Sequence, residues 1–355
     1  MSTRIVVTGG AGFLGTLLAR RLLGEPVVLG GAPPALVAEL VLIDLVAPPA
    51  DVRADGRVRS VTGQLSSALD ELGEVDAVFH LAGVVSGAAE ADFDLGMHTN
   101  VDGTRAVLEY GRRHVVPPLM IFSSSLAVFG SDPAIGPVGD VDDDTLPRPQ
   151  SSYGIQKFIG EQLVADYTRK GFVRGRSVRL MTVSVRPGRP NAAASGFLSG
   201  IIREPLAGER ARCPVDPDTP VALSSPRRTL EGILRAAAVD DATWGSRTAM
   251  NLPALTTTPR EMADALDRVA GAGASDRIDW VDDPVVRAIV GSWPARFHTP
   301  RAQRLGLRAD TSFDEIVRDY VADNPGATGG AATHTIDRLL DAKRRGEGAA
   351  SSPPA

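Results

Sequence analysis

Short apolar runs alternate along the chain with stretches whose apolar residues recur every three to four positions. "RIVVTG" (4–9), "ELVLIDL" (39–45), "AVFHLAG" (77–83), "LMIFSSS" (119–125) and "SVRLMTVSVRPG" (177–188) read as strands. Between them, helical spacing predicts "FLGTLLARRLL" (13–23), a helix near 99–113 and one carrying "SSYGIQKFIGEQL" (151–163). Strand–helix alternation of this kind predicts an α/β fold, a mostly parallel sheet with helices on both faces. After Pro187 the pattern turns irregular and rich in proline and glycine, and helices follow near 226–239, 259–270 and 311–322. The expected division is a sheet domain over 1–188, to which later segments can return, a smaller substrate lobe over 189–323, and a loosely held tail over 324–355.

Composition narrows the setting. Hydrophobic residues make up 43% and charged residues 23% of the 355, and no apolar run approaches the roughly 20 residues of a membrane span, so a soluble protein is expected. The start, "MSTRIVVTGG", enters a strand without a secretory pattern, which points to the cytoplasm. One cysteine, Cys213, permits no internal disulfide and reads as a packing residue, and five scattered histidines support no metal site. A net charge of -5 without a basic block argues against nucleic acid as partner.

"VVTGGAGFLG" closes the first strand and opens the first helix, with Gly9, Gly12 and Gly15 three apart. Glycines so placed allow a tight turn, a backbone without a β-carbon against a pyrophosphate, and close helix–strand packing, with helix-terminal amides facing the phosphates. The sheet is therefore expected to be of the Rossmann type, doubly wound and dinucleotide-binding. The next strand ends at Asp44, whose carboxylate would accept from ribose hydroxyls and repel a 2′-phosphate, which favours NAD over NADP. Asp44 lies farther from the glycines than the usual ~20 residues, and "GEPVVLGGAPPAL" (24–36) reads as an inserted loop.

Tyr153 and Lys157 stand four apart on one helix, and Lys157 is one of only three lysines in a chain with 38 basic residues. Together with the glycine motif, Asp44, "HLAG" (80–83), "NVDGT" (100–104), "SSSLAVFG" (123–130) and "RPG" (186–188), this pair resembles the extended short-chain dehydrogenase/reductase family over nearly all of residues 4–320. The resemblance implies NAD as cofactor and Ser125, Tyr153 and Lys157 as the catalytic set. A phenol with a reference pKa near 10 needs a nearby positive charge to act as a base at neutral pH, and the lysine can supply it. Ser125 would hydrogen-bond the substrate oxygen while Tyr153 moves its proton.

The resemblance further implies a cofactor site made by Gly9, Gly12, Phe13, Leu14 and Gly15, then Leu81, Ala82, Gly83 and Ser86, with Ser123, Pro187, Tyr153 and Lys157 toward its reactive end. Gln64, where the family often has an aspartate against adenine, and Leu65 fall at the other end, and Asn100 would anchor the Tyr153 helix. Members commonly form homodimers through the helices matching 99–113 and the Tyr153 helix, where Ile155, Ile159 and Leu163 supply an apolar stripe.

The substrate is narrowed by what is missing. Leu126 and Ala127 follow Ser125 where dehydratases carry an Asp-Glu pair, and no aromatic residue occurs between Phe197 and Trp244 to stack a nucleotide base. "ALSSPRRTLEGIL" instead offers a capped helix mouth with Arg227 and Arg228, suited to a small carboxylate. With "RPGRPNAAASGFLSGIIREPLAG", which includes Asn191, this segment resembles the members that oxidise the C2 hydroxyl of a four-carbon sugar acid. The expected substrate residues are Ser86, Ser125, Tyr153, Asn191, Arg227 and Arg228. A nucleotide-sugar 4-epimerase and an NAD-sensing protein with a vestigial site remain the alternatives.

Overall fold

The computed structural model describes residues 3–188 and 193–326; Asn191 and the tail beyond 326 lie outside the described residues. The strands in chain order are β1 (Thr3–Thr8), β2 (Val37–Asp44), β3 (Val58–Thr62), β4 (Ala77–His80), β5 (Leu119–Ser125) and β6 (Arg174–Leu180). They continue as β7 (Thr182–Val183), β8 (Ala211–Cys213), β9 (Val221–Ser224), β10 (Met250–Asn251), β11 (Leu255–Thr257) and β12 (Ile278–Trp280). Seven of them form one all-parallel sheet in the order β10-β6-β5-β4-β1-β2-β3.

The central strands are apolar throughout because both faces are covered. Ile5 and Val7 point into one layer with Leu18, Leu22, Leu40 and Leu42, while Val6 points into the other with Val41, Val78, Val107 and Leu108. Ile5, Val6 and Val7 are fully buried, and full burial of such side chains contributes about 1.5–3 kcal/mol each. β3 has no counterpart among the sequence-predicted strands. It is an edge strand whose Val58–Thr62 side chains are all half-buried or exposed, so its composition carries little apolar signal.

β1 pairs with β2 on one side and β4 on the other, so strand order reverses at β1. A crevice opens above the carboxyl ends of strands at such a reversal. The glycine loop after β1 and the segment after β4 form its two lips.

The apolar run 177–188 is not one strand. It breaks at Met181, and β7 leaves the main sheet to pair with β9 in a second, three-stranded sheet ordered β11-β9-β7. That sheet, the β12-β8 pair and the helices Phe197–Leu206, Pro259–Ala270 and Phe313–Asp323 share a core with Leu198, Ile201, Leu223, Leu266 and Ile316. The chain also crosses back. In the helix Pro226–Ala238, Ile233, Ala236 and Ala237 pack on the main sheet, where Met250 pairs beside β6. The inserted loop 24–36 ends that helix, with Gly30 and Gly31 N–H groups donating to the Ala237 and Ala238 carbonyls at 2.8 Å each.

Candidate active site

The site begins with the glycines. Gly9 has φ 72°, and a β-carbon there would lie 2.8 Å from Ala82 N; at Gly15 it would lie 2.0 Å from Gly9 O. Both positions are therefore glycine for reasons internal to the fold. Gly12 differs: a β-carbon there meets only Gly9 O, at 3.2 Å, and would otherwise project into the cleft. Gly12 is also the N-cap of the helix Phe13–Gly24, whose first turn carries no acidic residue. A bare backbone facing open space at a helix N-terminus fits a pyrophosphate, so the residues present fit a dinucleotide. Gly15→Ala should destabilise the fold by about 1–3 kcal/mol through overpacking. Gly12→Ala should keep the parent melting temperature and weaken NAD binding at least about 10-fold, because the added methyl stands where the backbone must approach the phosphates. A Gly12→Ala protein that binds NAD as tightly as the parent in a fluorescence titration would remove this role.

Asp44 stands beside that loop, its carboxylate accepting from Ala11 N at 2.9 Å and Leu45 N at 2.7 Å. Gln64 caps the helix Leu65–Asp70 on the next strand's exit, and Leu65 packs on the sheet. Neither Gln64, Leu65, Asp44 nor Pro187 lines the enclosed part of the cleft, which holds about 300 Å³. Gly9, Gly12, Phe13, Leu14, Gly15, Leu81, Gly83, Ser86, Ser123, Ser125, Tyr153 and Lys157 do line it, so one cavity joins the phosphate loop to the predicted catalytic set.

The other lip is held by a polar chain. Ala82 N–H donates to Thr8 Oγ1 at 3.2 Å, and Thr8 Oγ1 lies 2.6 Å from His80 Nδ1. His80 Nε2 lies 3.0 Å from Thr104 Oγ1, whose proton goes to the Asn100 carbonyl at 2.6 Å. With the Thr104 hydroxyl proton committed, Nε2 must donate, and in the neutral ring Nδ1 accepts from Thr8. Burial and the Lys157 charge push His80 down to about 3. His80 is thus a strut and not a base. Its ordinary value is 6.5, so the unfolded chain binds a proton that the folded chain refuses between pH 6.5 and about 3. His80 therefore contributes stability that is whole above 6.5 and is lost as pH falls, by up to about 1.4 kcal/mol per unit. Denaturant melts of His80→Gln should show a flatter pH slope in this window; parallel slopes would contradict the assignment.

Asn100 clamps the segment behind Gly83. Its Oδ1 accepts from Val84 N at 2.8 Å, and its Nδ2 donates to Val84 O at 3.1 Å and to Gln156 Oε1 at 2.8 Å. Asn100 comes from residues 97–102, a π-helical turn within the stretch predicted as ordinary helix.

Tyr153 opens the helix Ser152–Arg169, capped by Ser151, whose hydroxyl accepts from Gly154 N at 3.2 Å. Two glycines let this helix lie against β5 and the short turn Leu126–Val128 that follows it. A β-carbon at Gly154 would sit 2.1 Å from Ala127 O, and one at Gly160 would sit 2.6 Å from the Phe122 ring. The buried face is polar, with Gln156, Lys157 and Glu161 all nearly inaccessible. Glu161 forms a two-pronged pair with Arg179 at 2.9 and 2.8 Å and accepts from the Ser124 hydroxyl. Lys157 Nζ donates to Ser123 O at 2.9 Å and lies 5.8 Å from the Tyr153 ring centre. Burial lowers Lys157 to about 8, opposed by the charge of Glu161, so the ammonium persists at neutral pH.

The phenol behaves differently from the sequence expectation. Burial pushes Tyr153 up to about 12, opposed only by the hydrogen bond from Ser125. Ser125 also caps the short turn Leu126–Val128, its Oγ accepting from Ala127 N at 3.1 Å. In this state Tyr153 keeps its proton, because desolvation outweighs the Ser125 hydrogen bond.

Arg227 and Arg228 are absent from the cleft. The helix mouth they flank does receive a carboxylate, but it belongs to the chain itself: Asp310, buried, accepts from Ser225 N at 2.8 Å and Ser225 Oγ at 2.7 Å. Arg227 pairs with Glu315 at 2.8 Å and Asp319 at 3.3 Å, and Arg228 pairs with Glu231 at 2.8 Å. The structure thus places both arginines away from the cleft and against carboxylates of the chain itself, with Arg228 Nε buried without a hydrogen-bond partner. The cleft's own cations beside Lys157 are Arg186 and Arg203, which composition gave no means of separating from the other arginines. Arg203 pairs with Glu204 and donates to Arg186 O at 2.8 Å. Arg186 lies 5.5 Å over the Phe13 ring, its Nε is buried without a hydrogen-bond partner, and among the described residues no carboxylate pairs with it. Burial and the neighbouring Arg203 charge lower its pKa, so an anion in the cleft would relieve both. Ser86 lines the same space and accepts from Ala194 N at 3.1 Å. Cys213 is a buried packing residue of the lobe, its thiol pushed up to about 11 by burial.

Residues 5–223 match the family described as the NAD dependent epimerase/dehydratase family. A D-erythronate dehydrogenase of Cupriavidus necator is 50% identical over 325 residues, covering 90% of this chain and 98% of that protein. One of Haemophilus influenzae is 41% identical over 322 residues, with 90% and 98% covered. Among solved structures, a nucleoside-diphosphate-sugar epimerase from Agrobacterium tumefaciens is similar with TM-score 0.80 and 36% identity, over 92% of this chain and 96% of that one.

Proposed function

The chain belongs to the NAD-dependent epimerase/dehydratase family and is an NAD-dependent oxidoreductase, and from that premise we propose that it oxidises the C2 hydroxyl of D-erythronate to a ketone. The coarser statement, a sugar-acid dehydrogenase, follows from its similarity to two D-erythronate dehydrogenases. The observation that carries the finer one is Arg186. It is a half-buried cation with a buried, unbonded Nε and no carboxylate partner among the described residues, in the same cleft as Ser125 and Tyr153.

In this reading Arg186 receives the carboxylate through charge-assisted hydrogen bonds, and the adjoining C2 hydroxyl falls to Ser125 and Tyr153. Gly12 and the following amides would hold the pyrophosphate, Asp44 the adenosine ribose, and Lys157 the reactive end. When bound, NAD supplies the two-electron acceptor for the C2 hydrogen and a positive ring beside the phenol. Tyr153, as the phenolate that the Lys157 ammonium and the bound cofactor's charge would stabilise, takes the hydroxyl proton and becomes the phenol, while Ser125 holds the oxygen as it becomes a carbonyl. The balance is one C–H and one O–H bond broken, one carbonyl formed, and one proton released. Incubating the protein with NAD and a panel of C4 to C6 sugar acids tests this. NADH absorbance at 340 nm should rise with D-erythronate. No rise with any acid, together with inhibition by millimolar UDP, would favour the nucleotide-sugar epimerase reading suggested by the Agrobacterium structure's description.

We also propose a homodimer. Ile155 is 46% exposed on the Tyr153 helix, and Phe93 and Leu95, on the helix beside it, are 61% and 45% exposed, an apolar patch suited to a two-fold contact. Light scattering at micromolar concentration should report twice the chain mass; a monomer would contradict this.

A further inference from the structure

Part of the cleft wall separates it from a second, smaller cavity. Leu126, Thr182 and Trp293 line the cleft and also line this second cavity of about 10 Å³, bounded on its other sides by Leu198, Val221, Ala222 and Val290. That space is about enough for one water. Trp293 is the largest of the three shared residues and packs with Leu126, Met181 and Ala222. Its segment is braced on both sides. Ser131 N donates to Ser292 O at 2.8 Å, Thr256 Oγ1 to Ala295 O at 2.6 Å, Val141 N to Arg296 O at 3.0 Å, and His298 N to Val141 O at 2.7 Å.

We propose that Trp293 sets the chain length of the acid, closing the cleft behind a four-carbon substrate. The inference rests on the sugar-acid reading above. With the carboxylate at Arg186 and the reacting oxygen at Ser125 and Tyr153, two points of the substrate are fixed, and its remaining carbons take the lining formed by Leu126, Met181, Thr182 and Trp293. Of these four only Thr182 offers a side-chain hydroxyl. Each further CHOH group must push against the indole and bury its hydroxyl against carbon, which is unfavourable on both counts. The wall therefore acts as a ruler for length, while Arg186 selects charge.

The test compares D-erythronate with D-ribonate, which keeps the configuration at C2 and C3 and adds one CHOH group. kcat/KM with NAD is measured for the parent, Trp293→Ala and Trp293→Phe. The parent should prefer the four-carbon acid by about 10-fold or more, the scale on which one extra group in a tight pocket is discriminated. Trp293→Ala should remove that preference with NAD affinity intact, and Trp293→Phe should retain most of it. A parent that uses both acids equally, or a Trp293→Ala protein with an unchanged ratio, overturns the proposal. If Trp293→Ala does not fold, Trp293→Leu carries the same comparison, and D-ribonate as inhibitor of the parent provides a measurement without any variant: it should compete at least about 10-fold more weakly than D-erythronate binds, and equal competition overturns the ruler. A parent that oxidises neither acid overturns the sugar-acid reading itself, an outcome separate from any change in the ratio.

Discussion

Tyr153→Phe is expected to lower turnover by about 10²- to 10⁴-fold, the usual contribution of a positioned general acid–base group, while NAD affinity stays near that of the parent. The ring remains to pack beside Ser125, and only the hydroxyl that moves the proton is lost. Burial pushes the phenol up to about 12 and Lys157 down to about 8, so the same dry site drives the two titrations apart. Burial penalises the charged form of each, Lys157 still holds its proton at neutral pH, and that ammonium with the cofactor's charge added is what can favour the phenolate. A Tyr153→Phe enzyme that keeps more than half of the parent turnover in a steady-state assay would dismiss Tyr153 as the base.

Arg186→Met should raise KM for the acid by about 10- to 150-fold, the loss of a charge-assisted hydrogen bond of ~1.5–3 kcal/mol. Methionine retains an apolar stem against Phe13, so NAD binding should be preserved and the loss confined to the acid. Arg227→Ala provides the contrast, because Arg227 faces Glu315 and Asp319 and not the cleft. Its KM should equal the parent's. Kinetics in which Arg227→Ala raises KM and Arg186→Met does not would reverse the assignment of the carboxylate site.

The central strands were readable because burial on both faces leaves uninterrupted apolar runs, as in β1 and β4. β3 was not, since an edge strand with Arg59 and Ser60 exposed carries its register in its pairing with β2 and not in its composition. The break at Met181 was equally hidden. Nothing in "RLMTVSV" marks where the chain leaves one sheet for another, because both sides of the break are buried or half-buried. The proposed catalytic set, which the structure brings to one cleft, stood out because a lysine was kept in an arginine-rich chain. The proposed role of Arg186 did not, because whether an arginine is free depends on partners far away in sequence. Asp310 reaches Ser225 across 85 positions to occupy the helix mouth that looked vacant. Gly154 and Gly160 gave no sequence signal of their role, which is to let a polar helix face approach β5 and the turn after it.

Hydride transfer from C2 is tested most directly with D-erythronate deuterated at C2, NAD and the purified protein, followed by mass analysis of the nicotinamide product. The account predicts NADH one mass unit heavier, formed in equal amount to the keto acid and more slowly than from the unlabelled acid when chemistry limits the rate. NADH carrying no deuterium while the acid is consumed would contradict it.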